Sequence, residues 1–140
     1  MDRKEFLSQI SLGAAGFALL GSVGSCSKKV PASASNVNMT LDLNSTTYKS
    51  LLTKGNSIVT DNGIIVAHSL NTNADIYLAL SVYCTHEGVN VEYQPTPNQF
   101  YCPKHGSIFN SLGAVTQGPA GSALKQYTTT LSGNLLTIKG

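Results

Sequence analysis

Cys84-Thr85-His86 and Cys102-Pro103-Lys104-His105 each set a thiol beside an imidazole, with fifteen residues between the two groups. The chain has three cysteines and three histidines, and four of those six residues lie in this stretch. Thiolate and imidazole are ligands for zinc or for an iron–sulfur centre, whereas metals that prefer carboxylates would need a different set. A structural zinc arm usually leaves about two to four residues between its ligands. The single residue between Cys84 and His86 is short for that. Spacing therefore counts against a common structural zinc site, and an iron–sulfur centre and a zinc-binding or other non-redox module both stay open.

The C-x-H pair, the fifteen-residue gap and the C-x-x-H pair resemble the Rieske iron–sulfur family. CPKHGS and the downstream GAVTQGPAGSALKQY carry the likeness further, and it extends more thinly over residues 38–140. The similarity is to small bacterial Rieske proteins. It implies an all-β fold, a Rieske-like antiparallel sheet sandwich with a two-loop cluster-binding subdomain whose loops span 84–89 and 102–109. It also implies one 2Fe-2S cluster per chain, with Cys84 and Cys102 on one iron and His86 and His105 on the other. Pro119, within Gly118-Pro119-Ala120, resembles a proline loop at 118–121 that would cover the cluster from a third side.

The resemblance bears on the reduction potential. Two ferric ions, two sulfides and two thiolates sum to zero charge, so an added electron costs less than in an all-cysteine cluster. Rieske centres accordingly span roughly -150 to +300 mV. High-potential family members carry an extra cysteine in each loop, joined as a disulfide, where this chain has Val89 and Lys104. They also pair a serine with a tyrosine as donors to sulfur; Ser107 is retained and Phe109 stands in the tyrosine place. Lys104 acts the other way, because a nearby cation favours the electron, although solvent screens it. A middle to low potential is expected.

The elements that must hold these loops read as strands. Residues 39–45 alternate Met39, Leu41 and Leu43 against polar neighbours, as a half-buried strand does. Asp61-Asn62-Gly63 lies between two β-branched runs, and Ser132-Gly133-Asn134 divides a second pair, both hairpin signals. Residues 75–84 lead directly into the first ligand pair. No helical period is sustained beyond one turn near 48–54. Residues 84–121, rich in Gly, Pro, Asn and Gln, read as a loop-built insertion on a sheet scaffold, the setting in which function commonly lies. His68 reads as an ordinary strand histidine, Glu87 as a solvated loop charge or a partner-docking group, and Tyr83, Tyr93 and Tyr101 as packing residues.

At 140 residues there is room for one domain and an appendage. Residues 1–25 read as a signal peptide: a charged start, an apolar run at 10–24 too short to span a bilayer well, then small residues. VGSC resembles a lipobox, which implies lipidation of Cys26 and a flexible tether over 26–37, with Lys28 and Lys29 suited to anionic head groups. Arg3-Lys4 resembles an imperfect twin-arginine signal, so Tat and Sec export both stay open. The expected location is the bacterial cell envelope, and the expected partner a redox protein or a quinol. Charged residues make up 11% and the only arginine is Arg3, which excludes a basic nucleic-acid surface. No nucleophile–base set, carboxylate pair or phosphate-cradling loop marks an independent catalytic site.

Overall fold

The computed structural model describes residues 30–140. The signal-peptide and Cys26 readings fall outside the described residues. Among the described residues, ten antiparallel strands build two sheets. β1 (Asn38–Asp42), β2 (Ser57–Val59), β3 (Ile64–His68), β4 (Tyr77–Ser81), β9 (Gln126–Ser132) and β10 (Leu135–Lys139) form the larger, in the order β1-β10-β9-β4-β3-β2. β5 (Glu92–Gln94), β6 (Gln99–Tyr101), β7 (Ile108–Phe109) and β8 (Val115–Gln117) form the smaller, in sequential order.

Both expected hairpins form, β2 with β3 and β9 with β10. The helical turn is a single 3-10 segment at Lys49–Leu52. β1 buries Leu41, with Leu43 buried just beyond it, as their alternation predicts. Residues 84–121 are more ordered than a loop-built insertion, because the four short strands give the loops a sheet of their own.

The core is divided in two, and β3 explains how. All five of its residues are buried. Ile65 and Ala67 join Leu80 and Val82 in a cluster with Val91, Phe100, Phe109 and Leu124 beneath the ligand loops. Ile64 and Val66 point the other way, into a cluster with Leu41, Leu51, Tyr127, Leu136 and Ile138. Successive side chains leave a strand on opposite faces, so a strand shared by two cores must be apolar throughout. Because residues of β3, β1 and β10 share this one cluster although two or more strands separate β3 from β10 and β1 in the sheet order, the larger sheet must curl. Phe100 and Phe109 are fully buried in the first cluster. Truncating either to alanine would cost about 3–5 kcal/mol, a large share of a domain's usual 5–15 or so.

Residues 30–37 lie along the domain. Val37 exchanges both backbone hydrogen bonds with Gly140. The Ala34 carbonyl accepts from Tyr127 Oη at 2.7 Å and from Lys125 Nζ at 2.8 Å. Val30 and Pro31 then reach Gly88 in the first ligand loop.

Candidate metal centre

The first candidate ligand loop connects β4 to β5 and the second connects β6 to β7. Their backbones follow one pattern. Cys84 N–H donates to Val89 O at 2.8 Å and Cys102 N–H to Ser107 O at 2.8 Å. Four residues after each cysteine a glycine N–H returns to that cysteine's carbonyl: Gly88 to Cys84 at 2.7 Å, Gly106 to Cys102 at 3.0 Å. These glycines have φ of +75° and +77°, the left-handed region that a side chain disfavours. The pattern makes Val89 and Ser107 the closing residues, so Ile108 and Phe109 belong to β7 rather than to the loop. A glycine at the fourth position after each cysteine is the feature of the sequence that marks this shared turn.

This turn geometry sends the sulfurs inward and the imidazoles outward. Cys84 and Cys102 are buried and free. His86 and His105 are exposed, and their rings meet edge to face with centroids 4.9 Å apart. Burial pushes the Cys84 thiol above its ordinary pKa; the His86 backbone N–H pulls it down, the neighbouring Cys102 sulfur pushes it up, and the Glu87 backbone N–H pulls it down. Two sulfurs in an apolar floor and two solvent-facing nitrogens form a segregated donor set. Such a set suits a centre with one sulfur-held and one nitrogen-held metal.

The third loop, 118–122, joins both ligand loops. Ser107 Oγ, fully buried, accepts the Ala120 N–H at 3.0 Å. Thr85 Oγ1 donates to Ser122 O at 2.6 Å. Gln117 Nε2 adds a bond to Gly106 O at 2.9 Å. Pro119 is exposed within this loop. The bonds made by Thr85, Ala120 and Gln117 could not be read locally, because their partners lie 11 to 37 residues away.

Glu87 differs from the solvated charge expected of it. Its side chain is 22% exposed, it is ion-paired with Lys104, and its Oε2 lies 3.3 Å from His105 Nε2. The ligand atoms of His86, Glu87 and His105 all fall within 4.8 Å of one another. Folding the second loop onto the first removes the carboxylate from bulk water. His68, at the end of β3, is buried, shares a 2.7 Å hydrogen bond between Nδ1 and Leu51 O, and stacks on Tyr77 away from the loops. Tyr93 packs on Phe100.

The family model of the Rieske 2Fe-2S domain matches residues 41–128, more than half of the chain. The chain belongs to the Rieske 2Fe-2S family, and its cofactor is a 2Fe-2S cluster. A cytochrome b6-f complex iron-sulfur subunit from Chlorobaculum thiosulfatiphilum is 37% identical over 60 residues, 43% of this chain and 33% of that one. The chain thus covers about a third of the length of this curated relative. The plasma membrane Rieske protein PetC3 from Synechocystis PCC 6803 is 34% identical, with a TM-score of 0.51 over 60% of this chain and 84% of that one. The ferredoxin of carbazole 1,9a-dioxygenase from Nocardioides aromaticivorans IC177 shares the fold, at 18% identity and a TM-score of 0.55, over 76% of this chain and 98% of that one. The zinc-staple alternative gives way to the cluster. No helix among the described residues is long and apolar enough to cross a membrane.

Proposed function

We propose that Cys84, His86, Cys102 and His105 hold the 2Fe-2S cluster and that the protein passes single electrons as a carrier or as a subunit of an oxidoreductase or respiratory complex. The observation that carries this reading is the segregation of donors by the two matched loops: buried free thiols below, touching imidazoles at the surface. When bound, the cluster supplies a one-electron couple within the Rieske range. The chain's own residues do the rest. Leu80, Val82, Val91, Phe100 and Phe109 pack around the cysteines and keep water from the sulfurs. His86 and His105 reach solvent and offer an electron a short exit to a docked redox protein or a quinol. Ser107 keeps its hydroxyl hydrogen free to donate, since its oxygen accepts from Ala120. The relatives named as cytochrome b6-f subunits favour a partner within a membrane redox complex.

The same proposal places the protein in the bacterial envelope, exported by a signal over 1–25 and anchored through a lipid on Cys26, with the domain at 38–140. Replacing Cys26 with alanine should then release it from membranes.

Electron paramagnetic resonance of the dithionite-reduced, membrane-extracted protein, with iron and acid-labile sulfide analysis, tests the central claim. A signal shifted from that of an all-thiolate cluster is expected. Colourless protein containing zinc would reject it.

A further inference from the structure

Cys84 and Cys102 are both free, so no disulfide ties the two ligand loops among the described residues. Charge does join them. Glu87 of the first loop faces Lys104 and His105 of the second, pairing with Lys104 Nζ and lying 3.3 Å from His105 Nε2. The Glu87 and Lys104 side chains are 22% and 39% exposed. Such a pair is only partly screened, and it links segments 17 residues apart in sequence.

We propose that Glu87 is a positioning residue, whose carboxylate clamps the second ligand loop to the first through Lys104 and orients the His105 ring. The inference rests on the reading of His86 and His105 as ligands and adds to it what holds them at that separation. The pairing has an electrostatic consequence. Glu87 alone disfavours an added electron nearby and Lys104 alone favours it, so together they order the loops with little net charge at the site. Each partner removed singly should open the loops, yet the two removals should shift the midpoint potential in opposite directions. A purely steric staple would not produce that split.

The test uses the full chain and the variants E87Q, K104Q and the charge swap E87K/K104E. In metal-free protein, amide exchange at Gly88 and Gly106 reports loop opening, because both amides are hydrogen-bonded within their loops. Each single variant is expected to exchange about two- to five-fold faster, the range for a partly exposed ion pair, and the swap to return toward the parent rate. In cluster-loaded protein, bleaching by a chelator should accelerate similarly, with the midpoint rising in E87Q and falling in K104Q. Singles that exchange at the parent rate, a swap no slower than the singles, or midpoints moving in the same direction would overturn the clamp. Parent protein that retains no cluster but shows the exchange pattern would instead refute the cluster assignment and leave the clamp standing.

Discussion

Ser107 Oγ accepts the Ala120 N–H at 3.0 Å, and both residues are buried, so the loop at 102–107 is tied to the loop at 118–122. The hydroxyl oxygen is engaged as an acceptor, which leaves its O–H available as a donor. Ser107→Ala should therefore do two things at once. It should lower the midpoint potential by roughly 40–90 mV, the one-electron equivalent of a lost 1–2 kcal/mol hydrogen bond to the reduced centre. It should also increase amide exchange at Ala120. Potentiometric titration and hydrogen exchange check the pair of effects. With Phe109 in place of a second donor, the parent midpoint is expected in the middle or lower part of the family range.

The two core clusters share β3 and β4 but face opposite ways, which separates the fate of the cluster end from that of the sheet. Cys84→Ser, or removal of the cluster from the parent protein, should abolish visible absorbance and raise exchange across residues 84–107. Amides of β1, β9 and β10, paired over five residues at each interface between β1, β10 and β9, should keep their protection. Loss of protection in both regions together would show that the domain is one cooperative unit dependent on the cluster.

Gly88 and Gly106 have nearly the same φ but different surroundings. A Cβ at Gly106 meets nothing closer than Gln117 Nε2 at 3.9 Å, whereas at Gly88 it would overlap Pro31 Cδ and lie 3.3 Å from Val30 Cα. Gly106→Ala should lose about 1–2 kcal/mol from backbone strain alone. Gly88→Ala should lose more and expose residues 30–34 to proteolysis, because it displaces the segment that runs along the domain. Chemical denaturation with limited proteolysis separates the two variants; equal losses and equal cleavage would show that the 30–37 segment does not press on the loop.

Tyr77, Tyr93 and Tyr127 all have phenol pKa values raised by burial, for Tyr77 with a further contribution from Asp75. Above about pH 10, the usual phenol value, the unfolded chain releases protons that the folded chain retains. The folded state then binds more protons, so stability is full below that pH and falls as pH rises beyond it. Melting temperature measured from pH 8 to 12 should be flat and then drop. Tyr127→Phe should make the drop shallower while lowering the plateau, since the hydroxyl also bonds Ala34 O. A slope unchanged by that substitution would assign alkaline unfolding to other groups.

The strands adjoining the site could be read locally. The hairpins at 60–63 and 133–134 follow from turn residues between β-branched runs, and the burial of Leu41 and Leu43 follows from alternation. The short strands β5 to β8 could not, because runs of two or three residues carry too few side chains to display a period. The partial burial of Glu87 escaped the same reading, since a charge is drawn out of water only when a distant partner arrives.

By itself, the order of residues determined the donor chemistry: two thiols and two imidazoles at spacings that suit a mixed sulfur and nitrogen centre, with a glycine four places after each cysteine. Those are properties of neighbouring residues and of backbone dihedrals, which a linear chain specifies. Tertiary structure alone decided that the two turns face each other, that the imidazoles touch, and that Ser107 and Thr85 reach the same third loop. It also decided the pairing of Glu87 with Lys104 and the position of residues 30–31 against Gly88. These are meetings of groups far apart along the chain, brought together by burial of Phe100, Phe109 and their neighbours, and no local pattern encodes them.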